Sequence, residues 1–171
     1  MTNHCVILAA GVGSRISEHT QYRPKALIEV NEKPIIASII DSLMKSGIQT
    51  ITITIGYKAE LLKQEINNLY SHADISINFV ENEDFYQTNT MYSLYLAKKY
   101  LKNGFLFVHG DLIFPQEMLA EFLRESSPNS VLIDENVPDG WDDAMKVITR
   151  ADRVNYMSKS ITRHEADGTA V

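Results

Sequence analysis

Cysteine is almost missing from this chain. Cys5 stands alone, which excludes an internal disulfide, and its place at the start of an apolar run reads as a buried core thiol. Cations are also in short supply, with 16 Lys and Arg against 22 Asp and Glu. The net charge of −6 and the pI near 5.3 argue against a nucleic acid or an anionic membrane as main partner. No apolar run approaches the length of a membrane span. The N-terminus also lacks the basic region and cleavage site of a signal peptide, so a cytoplasmic location is expected. Internal repeats, low-complexity tracts and a domain linker are all absent. With 44% hydrophobic and 22% charged residues over 171 positions, the expectation is a single globular domain over 1–171 with a sizeable core.

What the sequence does have is one stretch near its start that organises the rest. Val6-Ile7-Leu8-Ala9-Ala10 runs directly into Gly11-Val12-Gly13-Ser14-Arg15, and Arg23-Pro24-Lys25-Ala26-Leu27 follows. A strand that opens into glycines lets backbone N–H groups approach an anion closely. Arg15 adds a fork of donors and Lys25 a compact charge. These parts read as a triphosphate site, locally basic in an acidic chain. Two commoner phosphate loops do not fit. The dinucleotide fingerprint lacks its third glycine, and the chain has Ile55-Gly56-Tyr57 where that motif wants an acid. A Walker loop would need Gly-Lys-Ser/Thr. Taken alone, Gly-x-Gly-Ser-Arg is equally a tight turn with a solvated arginine.

The two motifs together resemble the signature of the nucleotidyltransferases that make nucleoside-diphosphate sugars and related activated alcohols. The resemblance implies an α/β fold with a Rossmann-like, mostly parallel sheet flanked by helices (the nucleotide-diphospho-sugar transferase fold). It implies that Leu8, Ala10, Gly11, Gly13, Ser14 and Arg15 wrap a nucleoside triphosphate. Arg15 and Lys25 would then be the catalytic cations, stabilising charge on the α-phosphate and the departing pyrophosphate. Such a reaction needs no protein nucleophile, in keeping with the lack of any Ser/His/Asp or Cys/His constellation.

The element pattern agrees with such a fold, because strands and helices alternate. Strands are expected at 4–10, 50–55, 75–80, 104–108 and 130–133, with a short extended piece at 27–30. Helices are expected from Pro34 to about Ser46, and at 59–69, 88–101 and 116–124. Ile35, Ile36, Ile39, Ile40 and Leu43 keep helical spacing and Gly47 fits a C-terminal cap. Leu61, Leu62, Ile66 and Leu69 form the core stripe of the second helix. Residues 145–148 and 154–158 read as an antiparallel pair, turned at Arg150-Ala151-Asp152.

Three further clusters carry candidate chemistry. His109-Gly110-Asp111 follows the apolar run 105–108, and ligands gather at the carboxyl ends of parallel strands. Asp111 there suits Mg²⁺, which binds through one or two carboxylates plus substrate phosphates. It resembles the family's first metal aspartate, although an aspartate beside Gly110 is also an ordinary turn residue. Next, Glu81, Asn82, Asn89 and Thr90 end a strand and begin a helix, where amides can read a base edge. Asn89 or Thr88 is equally a helix cap. The form Asn82…Asn89-Thr90-Met91-Tyr92-Ser93-Leu94-Tyr95 resembles the bacterial choline-phosphate cytidylyltransferase branch, whereas sugar-specific branches carry a glycine-rich version. Last, the single tryptophan, Trp141, lies among Asp139, Asp142 and Asp143. Aromatic faces beside acids suit an ammonium head group. By the resemblance, Trp141, Tyr92 and Asp142 would cradle choline or aminoethyl, with Lys146 and Lys159 toward the substrate phosphates. A loop-anchoring Trp141 and solvated strand lysines are the plainer alternatives.

The implied reaction moves a nucleoside monophosphate, CMP from CTP, to a small phosphorylated alcohol such as phosphocholine. A sugar-1-phosphate acceptor and a non-catalytic nucleotide-binding domain are the alternatives. The family continues well past this length and carries its second metal aspartate there. A C-terminal part is therefore expected to be missing, or the chain to be a reduced form that binds nucleotide without turnover. Exposed apolar surface in such a fragment would favour a homo-oligomer.

Overall fold

The computed structural model describes residues 2–13, 22–101, 104–125, 127–136 and 141–171. In order the elements are β1 (His4–Leu8), a 3-10 turn (Lys25–Leu27), β2 (Glu29–Val30), β3 (Lys33–Pro34), α1 (Ile35–Lys45), β4 (Thr50–Ile55), α2 (Ala59–Tyr70) and β5 (Ser76–Glu81). Then come α3 (Thr90–Leu96), a 3-10 turn (Ala97–Tyr100), β6 (Leu106–His109), α4 (Gln116–Glu125) and β7 (Ile133–Asp134). A 3-10 turn (Trp141–Asp143), β8 (Lys146–Arg150), β9 (Arg153–Ser158) and β10 (Gly168–Ala170) complete the chain. It divides into two compact units, Met1–Glu121 and Phe122–Val171.

The first unit is built on a four-stranded sheet in the order β5-β4-β1-β6. Every pairing in it is parallel, with Cys5 opposite both Ile51 and Leu106. β1 is interior, so Cys5, Val6 and Ile7 are fully buried, as its unbroken apolar run requires. The Thr-Ile alternation of β4 looks like a strand with one wet face, yet Thr52 and Thr54 are as buried as the isoleucines. Both faces are covered, and His4 Nε2 meets the Thr52 hydroxyl at 2.9 Å. The helix α1 buries Ile35, Ile36, Ile39, Ile40 and Leu43, and Gly47 takes the left-handed φ of +83° that caps it. Burying five such side chains stabilises the unit by roughly 1.5–3 kcal/mol each before entropy is counted.

Several boundaries differ from expectation. The span 88–101 contains only a seven-residue helix, Thr90–Leu96, that tightens into the 3-10 turn at Ala97–Tyr100. The start of the 27–30 piece is the end of a 3-10 turn rather than extended chain. Leu69 is 51% exposed and Leu61 only half-buried, so α2 packs chiefly through Ala59, Leu62 and Ile66. Tyr70 ties that helix down instead, its hydroxyl lying 2.7 Å from Asp41 Oδ1 and 3.0 Å from the Ala37 carbonyl oxygen, one hydrogen shared between two acceptors.

The second unit holds an antiparallel sheet in the order β7-β10-β8-β9. The β8–β9 hairpin turns through Ala151 and Asp152, both at positive φ, the backbone of a primed hairpin turn. The strand expected at 130–133 is reduced to Ile133–Asp134, and β10 was not foreseen. Gly168 explains its tight fit: a Cβ there would lie 2.6 Å from the Asp134 carbonyl oxygen.

Candidate functional site

Sheet order locates the site of the first unit. From β1 the chain runs outward through β4 to β5, then returns to add β6 on β1's other side. The connections therefore part company between β1 and β6, the switch point where open parallel sheets bind ligands beyond their carboxyl ends. β1 leads there into Ala9–Gly13 and β6 into Gly110 and Asp111.

Backbone bonds fix this edge. The Ala9 N–H donates to Thr54 O at 2.9 Å, Tyr57 N–H to Ala10 O at 3.0 Å, and Gly110 N–H to Leu8 O at 2.9 Å. Two glycines permit the crowding. A Cβ on Gly110 would come within 2.8 Å of Leu8 O, and one on Gly56 within 2.8 Å of Ala10 O and 2.9 Å of Phe85 Cβ. Gly13 follows at φ +70°, while a Cβ on Gly11 would meet nothing within 4 Å. Leu8 is half-buried, Ala10 buried and Gly11 exposed. Ser14 and Arg15 lie outside the described residues.

Lys25 stands at the head of the 3-10 turn that Ala26 and Leu27, both buried, plug into the core. The Ile28 N–H closes that turn onto Lys25 O at 3.0 Å. Its Nζ reaches Asp111 Oδ2 at 2.6 Å, with the two side chains 36% and 40% exposed. Two motif residues far apart in sequence thus meet at the switch point. Asp111 offers a hard oxygen there, the donor chemistry of a Mg²⁺ site completed by substrate phosphates. Among the described residues no group of three or more His, Cys, Asp or Glu is arranged to hold a metal ion.

At the end of β5 the amide expected to read a base is instead enclosed. Asn82 is 2% exposed. Its Nδ2 donates to Thr88 Oγ1 at 2.9 Å and to Ser93 Oγ at 3.0 Å, while its Oδ1 accepts from the Asp84 N–H at 3.1 Å. Both amide hydrogens have partners within the protein, so Asn82 braces the 82–93 segment. Asn89 caps α3, accepting the Tyr92 N–H at 3.1 Å, and Glu81, Asn89 and Thr90 are exposed. Tyr92 stacks on Tyr95 with centroids 6.2 Å apart.

Of the acceptor-side candidates, Tyr92 belongs to the first unit, and Trp141, Asp142, Lys146 and Lys159 belong to the second. Lys146 is not a solvated strand lysine: it is 3% exposed, and its ammonium donates to Lys159 O at 2.6 Å and Asp142 O at 3.2 Å. Lys159 is exposed, with its Nζ 3.8 Å from Asp143 Oδ1. Asp142 faces solvent. The Trp141 side chain lies outside the described residues.

Sequence reasoning passed over Tyr57, Lys58 and Phe85. Tyr57 and Phe85 pack edge to face at 6.2 Å, and Lys58 Nζ stands 5.6 Å from the Tyr57 ring centroid and 5.7 Å from that of Tyr22. The available signal is Gly56-Tyr57 at the end of a strand.

The chain is 37% identical over 121 residues to choline-phosphate cytidylyltransferase of Streptococcus pneumoniae, covering 71% of this chain and 50% of that protein. It is 32% identical over 115 residues to 2-aminoethylphosphonate cytidylyltransferase of Lancefieldella rimae, covering 67% and 45%. Sugar-phosphate nucleotidyltransferases are also among its relatives. The chain thus spans about half the length of these two curated cytidylyltransferases. In fold it is similar to the inositol-1-phosphate CTP transferase from T. maritima, with a TM-score of 0.78 at 21% identity over 98% of this chain and 68% of that one. The mostly parallel sheet flanked by helices is the nucleotide-diphospho-sugar transferase fold that the motifs led us to expect. The profile of the MobA-like NTP transferase domain matches residues 5–141, and the chain belongs to that family.

Proposed function

We propose that this chain takes part in nucleotidyl transfer, moving CMP from CTP to a small phosphorylated alcohol such as phosphocholine, in the cytoplasm. The observation that carries the reading is the meeting of Lys25 and Asp111 at 2.6 Å, on the same sheet edge as the Gly11–Gly13 loop. An acceptor phosphate oxygen attacks the α-phosphorus in line; the new P–O bond forms as the bond to the β-phosphate breaks, and pyrophosphate leaves. The protein's part is positioning and charge neutralisation. N–H groups of the glycine loop and the side chains of Ser14 and Arg15 hold the triphosphate. Lys25 faces the charge that grows on the α-phosphate and the leaving group. Asp111 would hold Mg²⁺, which screens the phosphates when bound.

On the nucleoside side, Glu81, Asn89 and Thr90 border the base, with Asn82 holding their segment in shape. On the acceptor side, within the second unit, Asp142 is assigned to the ammonium group and Lys159 to its phosphate, with Lys146 fixing the Asp142 carbonyl. Similarity to two cytidylyltransferases of amino-alcohol phosphates or phosphonates supports this acceptor class. A sugar-1-phosphate is the second reading, favoured by a 27% identity over 143 residues to a UTP–glucose-1-phosphate uridylyltransferase of Haloferax volcanii.

Pyrophosphate release decides between them. CTP, UTP, dTTP and GTP are crossed with phosphocholine, 2-aminoethylphosphonate and glucose-1-phosphate in the presence of Mg²⁺, with Asp111→Ala as the blank. Release with CTP and an amino-alcohol substrate, lost in the variant, is expected. Release only with the sugar phosphate would overturn the acceptor assignment, and nucleotide binding without any release would overturn the transfer itself.

A further inference from the structure

We propose that Lys25 is the resting counter-ion of Asp111, and that their ion pair must open before the carboxylate accepts a divalent cation. The inference rests on the nucleotidyl-transfer reading above and concerns how its site is loaded. Lys25 Nζ lies 2.6 Å from Asp111 Oδ2, a short charge-assisted contact. A divalent cation seeks the same oxygen lone pairs and is repelled by the ammonium in front of them. Among the described residues no group of three or more His, Cys, Asp or Glu is set to hold a metal.

A triphosphate changes the balance on both sides. Its anionic oxygens give the Lys25 ammonium a new partner and complete the oxygen shell of a cation at Asp111. In the resting pair one positive and one negative side chain neutralise each other; in the loaded site each faces a charge brought in from outside. Nucleotide and cation therefore bind cooperatively, and by linkage each tightens the other by the same factor. Both side chains are more than a third exposed and Lys25 sits on a short turn, so the exchange needs only a side-chain rotation.

The probe is Mn²⁺ alone, with free ion counted by its electron paramagnetic resonance signal, on wild type, Lys25→Gln, Lys25→Met, Lys25→Arg and Asp111→Asn. Circular dichroism shows which variants are folded. Wild type is expected to bind Mn²⁺ weakly alone and tightly once CTP is added. Lys25→Gln and Lys25→Met should bind Mn²⁺ alone more tightly than wild type, by up to about fivefold, the factor that roughly 1 kcal/mol of ion pairing is worth. Lys25→Arg, which keeps the charge, should not gain. Equal or weaker Mn²⁺ binding in the neutral variants would overturn the counter-ion role while leaving the transfer reading intact. If CTP brings no Asp111-dependent Mn²⁺ even to wild type, the transfer reading itself fails and this inference with it.

Discussion

Replacing Asn82 with alanine tests how the segment that follows β5 is held together. The side chain is 2% exposed and makes three hydrogen bonds, to Thr88, to Ser93 and from the Asp84 N–H. Each is an ordinary neutral bond with a net worth of about 0.5–1.5 kcal/mol. Thr88 keeps its own donation to Asp84 O at 2.8 Å, whereas Ser93, 5% exposed, loses its donor inside the fold. Asn82→Ala should therefore cost about 2–4 kcal/mol in urea unfolding. Amide exchange at Asp84 should quicken markedly, because its N–H loses its acceptor. In a Ser93→Ala background the same substitution should cost about 1 kcal/mol less, since the stranded hydroxyl is gone. A loss below about 0.5 kcal/mol, or an identical loss in both backgrounds, would refute the bracing role.

Gly110→Ala should destabilise by about 1–3 kcal/mol, because the added Cβ would press on backbone rather than on a side chain that can rotate. Leu8 O would lie at 2.8 Å. It should also lower CTP turnover, since the strain falls one residue before Asp111, and wild-type stability would count against the close approach of β1 and β6. At Asp41, burial pushes the carboxyl up, but hydrogen bonds from Lys33 and Tyr70 and the Lys33 charge outweigh it and hold it below its ordinary value. The folded chain then binds that proton less readily than the unfolded one. The stabilisation is present above about pH 4 and lost as pH falls through the folded value. Thermal unfolding between pH 6 and pH 2 should fall more steeply for wild type than for Asp41→Asn; parallel curves would contradict this.

Much of the first unit was legible because its signals are local. The unbroken run Val6–Ala10 marked an interior strand, the 3.6-residue spacing of Ile35 to Leu43 marked α1, and Gly47 marked its end. The meeting of Lys25 with Asp111 could be anticipated only as a shared sheet edge, from the rule that strand ends converge on a ligand; the ion pair itself was not legible. Asn82 misled because an amide after a strand looks the same whether it faces solvent or a buried serine. The strand 50–55 was legible from its Thr-Ile alternation, but the burial of Thr52 and Thr54 was not, because the covering of both faces is a tertiary fact. Lys146 was read as reaching outward, yet the carbonyls that hold it belong to Asp142 and Lys159, residues that periodicity cannot bring together. The strand Gly168–Ala170 is too short to leave a pattern and is defined by its partners at Asp134 and Lys146.

The most direct test follows the α-phosphorus. CTP labelled with ³²P at the α-position is incubated with the chain, Mg²⁺ and phosphocholine, and the products are separated. The account predicts label in a CDP-alcohol, formed with an equal amount of pyrophosphate and absent with Asp111→Ala. Label that stays in CTP although the nucleotide is bound, or that appears as free CMP, would contradict it.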